Sequence, residues 1–141
     1  MYPFYLEIEL IKPVINYFQS QGYQVRREVK IGFCRADIVA FKNRKTTAIE
    51  LKLNNWKKAI SQAKNYQLGA DFVYIAFPLM KSFKVMKKAE HIFQKEGIGF
   101  LIINEETCKV RELIKAKKSM KNFSSIIINE VDKRRNIRKK F

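Results

Sequence analysis

The chain of 141 residues is long enough to bury one core and too short for two domains of ordinary size, and its 47% hydrophobic content agrees. Its 29 Lys and Arg against 13 Asp and Glu leave a net charge of +16, a self-repelling excess that points to a polyanionic partner, nucleic acid before membrane. No apolar run of about 18 residues offers a membrane span, MYPFYLEIEL lacks a basic secretory leader, and Cys34 and Cys108, without a CxxC pair, support neither a disulfide framework nor a Cys-rich zinc site. The expected setting is the cytoplasm, away from any membrane.

From Pro3 to Gln21 the apolar residues recur at helical spacing, with Leu10, Ile11, Val14, Ile15 and Phe18 on one stripe, and Gly22 closes the helix. Three strand segments follow, Tyr23 to Ile31, Cys34 to Lys42 and Lys45 to Leu53. The turns between them, at Gly32 and at Asn43-Arg44, are short enough to require an antiparallel meander. Asn54 and Asn55 offer an N-cap to a helix from Trp56 to Leu68, ended by Gly69. The apolar segment Asp71 to Phe77 is joined to the previous strand by that helix, so the two are expected to run parallel through a right-handed crossover. Ser82 caps a third helix with a stripe of Phe83, Met86, Ala89 or Glu90, and Phe93, ended by Gly97. The strand Gly99 to Ile103 comes next, with a further candidate at Cys108 to Ile114. The expected fold is α/β, a mixed sheet flanked by helices in the order αβββαβαβ, over residues 1–118. Residues 119–141 read as a basic extension. In it SMKNFSSIIINEV has an amphipathic helical pattern, and DKRRNIRKKF carries six basic residues in ten, as a solvated tail or as a nucleic-acid-binding arm.

Two strand segments carry charge where apolar residues belong. In AIELKL, alternate residues face opposite sides, so Glu50 and Lys52 share a face with Ala48 while Ile49, Leu51 and Leu53 form the apolar one. An edge strand with one solvated side is the plain alternative. In CRADIVAF, Asp37 sits inside an apolar segment, where a carboxylate is costly unless it is paired or metal-bound. If the two strands are neighbours, Asp37 and Glu50 come close together and Lys52 lies one pleat further on. Two such carboxylates can hold a hard cation such as Mg²⁺, which keeps several waters and accepts phosphate oxygens. The ion can activate a water and clamp a phosphate while the lysine stabilises developing charge.

Ala36-Asp37, an interval of twelve residues, then Glu50-Leu51-Lys52 resembles the PD-(D/E)xK nuclease superfamily, which includes Holliday junction resolvases, RecB-like nuclease domains and many restriction endonucleases. Ala36 stands where the motif has Pro. The resemblance spans residues 4–103 and implies a restriction endonuclease-like fold. It also implies that Asp37, Glu50 and the backbone carbonyl of Leu51 ligate metal, and that Lys52 is the catalytic lysine. Glu7 falls on the apolar stripe of the first helix and Glu9 on its polar face. Because resolvase-like members carry a helix glutamate that completes the metal site, Glu7 is preferred to Glu9 as a further metal ligand. Gln62 and Tyr66 resemble the QxxxY element of RecB-like nucleases, which supports the active site or DNA. An ordinary i,i+4 pair on a helix surface is the alternative.

Arg26, Arg27, Lys30 and Arg35 approach this site from the first two strands, and Lys57 and Lys58 from the helix start. With Tyr66 they are the candidate DNA contacts. His91 reads as a surface residue, and a lone histidine cannot supply an acid–base pair of histidines. GxGxxG, GxxxxGK[ST] and GxSxG motifs are all missing. The expectation is a deoxyribonuclease dependent on Mg²⁺, with Mn²⁺ able to substitute, acting on DNA in repair, recombination or restriction, and with a homodimer left open. The rivals are a non-catalytic DNA-binding module of the same fold and a basic RNA- or protein-interaction domain in which AIELKL is merely an edge.

Overall fold

The computed structural model describes residue 4 and residues 6–120. Strands β1 (Gln24–Ile31), β2 (Cys34–Lys42), β3 (Lys45–Leu51), β4 (Phe72–Pro78), β5 (Gly99–Ile103) and β6 (Val110–Ile114) form one sheet in which spatial order equals chain order. β1, β2 and β3 make an antiparallel meander, β3, β4 and β5 run parallel, and β6 returns antiparallel. Parallel neighbours cannot be joined by a tight turn, and helices α2 (Trp56–Tyr66) and α3 (Leu79–Glu96) provide the two crossovers. The sheet is covered on both faces. Val14 and Phe18 of α1 (Ile11–Ser20) pack with Leu10, Ile38, Ile49 and Tyr74 on one side. Ala63 and Tyr66 of α2 and Ala89 and Phe93 of α3 pack with Val39, Ala48, Ile75 and Phe100 on the other.

β3 lies between β2 and β4. AIELKL is therefore an interior strand, and the edge reading of it is wrong. Glu50 is only 4% exposed.

Proline explains the shortened first helix. A helix running from residue 3 would put Pro13 in its interior, where the ring clashes with the carbonyl of Glu9 and no N–H is available for it. The chain instead makes a 3-10 turn, Glu7–Leu10, and begins α1 at Ile11, so that Pro13 falls in the first turn, where it is tolerated. Both α1 and α3 close through glycine in the left-handed region. At Gly22 (φ 89) the Tyr23 N–H returns to the Phe18 carbonyl at 3.1 Å, and at Gly97 (φ 72) the Ile98 N–H returns to Phe93 at 3.0 Å. α2 ends at Tyr66 instead of Leu68, and the residues up to Gly69 form a turn.

The start of α3 departs further from expectation. It begins directly after Pro78, and Ser82 lies inside its first turn with its hydroxyl on the Leu79 carbonyl at 2.6 Å. The cap comes from elsewhere in the chain: the Glu105 carboxylate accepts the Met80 N–H at 3.0 Å. With this phase the buried stripe is Ser82, Val85, Ala89 and Phe93, and Phe83 faces solvent, 73% exposed. The amphipathic helix and the basic tail expected after residue 119 lie outside the described residues, except that the Ser119 N–H donates to the Asp71 carbonyl at 2.7 Å. Among the described residues no helix is long and apolar enough to cross a membrane.

Candidate active site

Side chains of β2 alternate between the two faces until Asp37. Ile38 and Ala40 pack on the α1 side and Val39 and Phe41 on the α2–α3 side, yet Cys34 and Ala36, in phase with Ile38, also pack on the α2–α3 side. β1 changes faces at the same level, with Val25 on the α1 side and Val29 and Ile31 on the other. Between them Glu28, opposite Asp37, has φ 52, and the ladder passes from the Arg27–Ile38 pair to Val29–Ala36 without it. The far half of this hairpin thus turns over at Glu28 and Asp37, one unpaired residue on each strand, with the register unchanged on either side. The β2–β3 ladder stops just there, with Ile38–Ile49 as its last pair. The next positions on those strands are Asp37 and Glu50, outside the β2–β3 ladder, although Glu50 still pairs with Ile75 on β4.

The side chains fill the role of the interrupted ladder. The Leu51 N–H donates to Asp37 Oδ2 at 2.9 Å. Lys52 Nζ lies 3.6 Å from Glu50 Oε2, and both side chains are buried. Lys52 is held in place by its own N–H, which donates to the Ala76 carbonyl on β4 at 3.0 Å. From α2, the Tyr66 hydroxyl lies 2.7 Å from Glu50 Oε1 and 2.9 Å from the Arg35 carbonyl oxygen. Having one proton, it donates to only one of them at a time. An ionised Glu50 takes that proton. A protonated Glu50 donates instead to Asp37, with which it shares a side-chain hydrogen bond.

Burial and, next, the charge of Asp37 push the Glu50 carboxyl up from the ordinary range to about 7, against the opposing pull of Tyr66 and Lys52. Burial also raises the Asp37 carboxyl, and the Leu51 N–H is the largest influence holding it down. The Tyr66 phenol is raised by burial and then by Glu50, so it stays a proton donor across the accessible pH range.

Glu7 comes near the pair by a route other than the expected one. It belongs to the 3-10 turn and is exposed, its carboxylate accepts the Leu53 N–H at 3.2 Å, and its charge helps to raise Asp37. Glu9 is engaged at the start of that turn, where Oε1 accepts the Leu6 N–H at 2.8 Å. Gln62 shares a helix face with Tyr66, and its Oε1 is buried without a hydrogen-bond partner. Tyr66 itself is 1% exposed, so it supports Glu50 and is not a surface DNA contact. The other proposed contacts are on the surface. Arg27, Lys30, Arg35, Lys57 and Lys58 are exposed, Arg26 is half-buried, and Lys30 and Arg35 oppose each other near the hairpin tip. His91 is exposed on α3.

Among the described residues no three Asp, Glu, His or Cys side chains are grouped closely enough to hold an ion, so Glu7 does not join Asp37 and Glu50 as a third ligand here. Two carboxylates still suit a magnesium ion, which commonly takes one or two from the protein and completes its shell with waters and phosphate oxygens. A buried carboxylate pair in which Glu50 is raised to about 7 is a feature that a hydrated cation would satisfy.

No protein-family model and no curated protein matches the chain. Among solved structures, an XisH family protein from Nostoc punctiforme superposes with a TM-score of 0.57 at 19% identity, over 76% of this chain and 97% of that one. A fdxN element excision controlling factor protein from Anabaena variabilis superposes with a TM-score of 0.55 at 18% identity, over 74% of this chain and 97% of that one. At these identities the likeness is one of fold: the mixed α/β sheet with its flanking helices is shared with both.

Proposed function

We propose that this protein is a metal-dependent DNA endonuclease that hydrolyses phosphodiester bonds at Asp37, Glu50 and Lys52. The observation that carries the reading is the convergence of two carboxylates and an ammonium group where the β2–β3 ladder breaks off. A protein that only bound DNA would be better served by apolar side chains at these buried positions, because a close acid pair destabilises the fold that contains it.

Asp37 and Glu50 would hold Mg²⁺, with the Leu51 carbonyl as a backbone ligand. When bound, the ion supplies an acidified water and neutralises phosphate charge. Lys52 stabilises the negative charge that builds on the phosphate oxygens in the transition state, from a position fixed by its own backbone and by Glu50. Tyr66 orients the Glu50 carboxylate from behind. The arginines and lysines of the hairpin and of α2 contribute affinity by releasing counterions, about 0.9 in log K against log salt per duplex phosphate, a term that reads no sequence. One structural neighbour is named as an excision controlling factor, so DNA rearrangement is among the settings to test.

Supercoiled plasmid incubated with the protein and Mg²⁺ or Mn²⁺ should accumulate nicked circles. Lys52→Ala should slow cleavage by about 100-fold or more while DNA binding without metal changes little. Undiminished cutting by that variant would remove the mechanism, and metal-independent binding with no cutting at all would favour the non-catalytic rival. A panel of linear, nicked, flap and four-way substrates then separates the subclasses.

A further inference from the structure

We propose that the cleft between the first turn of α2 and the first half of α3 holds an unpaired stretch of DNA, with a base on its floor and phosphates at its rim. The proposal rests on the nuclease reading only for the choice of DNA as the polyanion.

The cleft has a volume of about 300 Å³ and starts one residue beyond Lys52, at Leu53. Its floor is apolar, made of Leu53, Trp56 and Val85. Its rim is basic. Lys57 comes from α2, and Lys81, Lys84 and Lys88 come from one face of α3, where their i, i+3, i+7 spacing puts them in a row. No acidic residue lines it. Four ammonium groups around one hollow repel one another, so an anion between them is stabilised. Asn55 adds to this field: its side chain caps α2 by accepting the Lys58 N–H at 3.3 Å, and the positive end of that helix opens beside the cleft.

The floor decides which anion. A duplex backbone could lend phosphates to the rim, but its bases are stacked inside the helix and would leave Leu53, Trp56 and Val85 uncovered. An unpaired nucleotide brings both a flat apolar ring and a phosphate, and an aromatic platform within a cationic groove is how single strands are gripped. Lys57 Nζ lies over the Trp56 ring, 5.7 Å from its centre, so an incoming base would take the place of that ammonium on the indole face. Because the cleft adjoins Lys52, a strand lying in it would carry the neighbouring backbone toward the acid pair. Substrates with a frayed, gapped or flapped strand are the ones it would favour.

Trp56 is the only tryptophan in the chain, so its emission reports on the cleft directly. With the full-length protein in EDTA, a short oligodeoxythymidylate should quench that emission saturably and bind about tenfold tighter than a blunt duplex of equal length. The triple variant Lys81→Gln, Lys84→Gln, Lys88→Gln should weaken the single strand about tenfold or more and lower the salt slope by about 2, from about 0.7 for each lost contact. No saturable quenching, equal affinity for the duplex, or an unchanged salt slope in the triple variant would each overturn the proposal. Since metal is excluded, the two readings fail separately. Quenching without nicking activity supports the cleft and overturns the nuclease, and nicking without quenching overturns the cleft alone.

Discussion

Glu50 answers to two demands that oppose each other. A cation needs it ionised, and the interior in which it sits resists that ionisation, holding its carboxyl near 7 against an ordinary value of 4.5. The native state therefore binds the proton more tightly than the unfolded chain does. This group's contribution to stability is greatest below about pH 4.5, declines as pH rises through about 7, and stays at its lowest above that. Glu50→Gln should raise the melting temperature of the metal-free protein near pH 8, by on the order of 1–3 kcal/mol of stability, and change it little near pH 4.5. Thermal scans at the two pH values check this, and an equal effect at both would refute the assignment. Added Mg²⁺ should raise the melting temperature of the wild type near pH 8, less near pH 5.5 where protons compete, and not at all in Glu50→Gln. At this scale much of the site was legible, since Asp37, Glu50 and Lys52 stand out as charges in apolar segments. The contact of Tyr66 with Glu50 was not, because it depends on how α2 packs across the sheet, and periodicity along one helix carries no such information.

The elements themselves were legible where local chemistry governs them. Gly22 and Gly97 ended helices as expected, and the short turns forced the meander. They were misread where a distant residue or a neglected proline governs them: α3 starts at Leu79 because Glu105 caps it from a loop after β5, and Pro13 sets the beginning of α1. The α1 face of the sheet includes one position where side-chain volume is forbidden. Gly99 pairs with Tyr74 across β4 and β5, and a Cβ there would collide with the Tyr74 ring and come within 2.9 Å of the Ala116 nitrogen. That ring is anchored, with its hydroxyl 2.6 Å from Glu112 Oε2 and accepting the Ala116 N–H at 3.3 Å. Gly99→Ala should therefore cost on the order of 2 kcal/mol, seen as a lower urea midpoint at unchanged slope. A variant as stable as the wild type would show that the segment after β6 and the Tyr74 ring move aside freely.

For the whole molecule, charge is the property that composition made plainest, and the described residues show it spread over the hairpin, α2 and α3. The segment 132–141, with its six basic residues in ten, adds a concentrated share. Deleting it should flatten the salt dependence of DNA binding if it acts as an arm, and an unchanged slope would reduce it to a solvated tail. Connection lengths, by contrast, gave the meander of β1–β3 and the parallel crossover to β4, while the places of β5 and β6 come from the fold itself, where each strand pairs with its neighbour in the chain.

The break at Glu28 has an effect beyond the placing of Asp37. β1 is an outer strand, and a straight outer strand offers its unpaired amides and carbonyls to any similar segment, the usual beginning of aggregation. Here the backbone reverses its facing midway, and Arg26, Arg27 and Lys30 stand along it, so another molecule trying to extend the sheet would meet a contorted template and charges like its own. The same irregularity that frees a carboxylate thus helps keep a crowded solution of these molecules from knitting together.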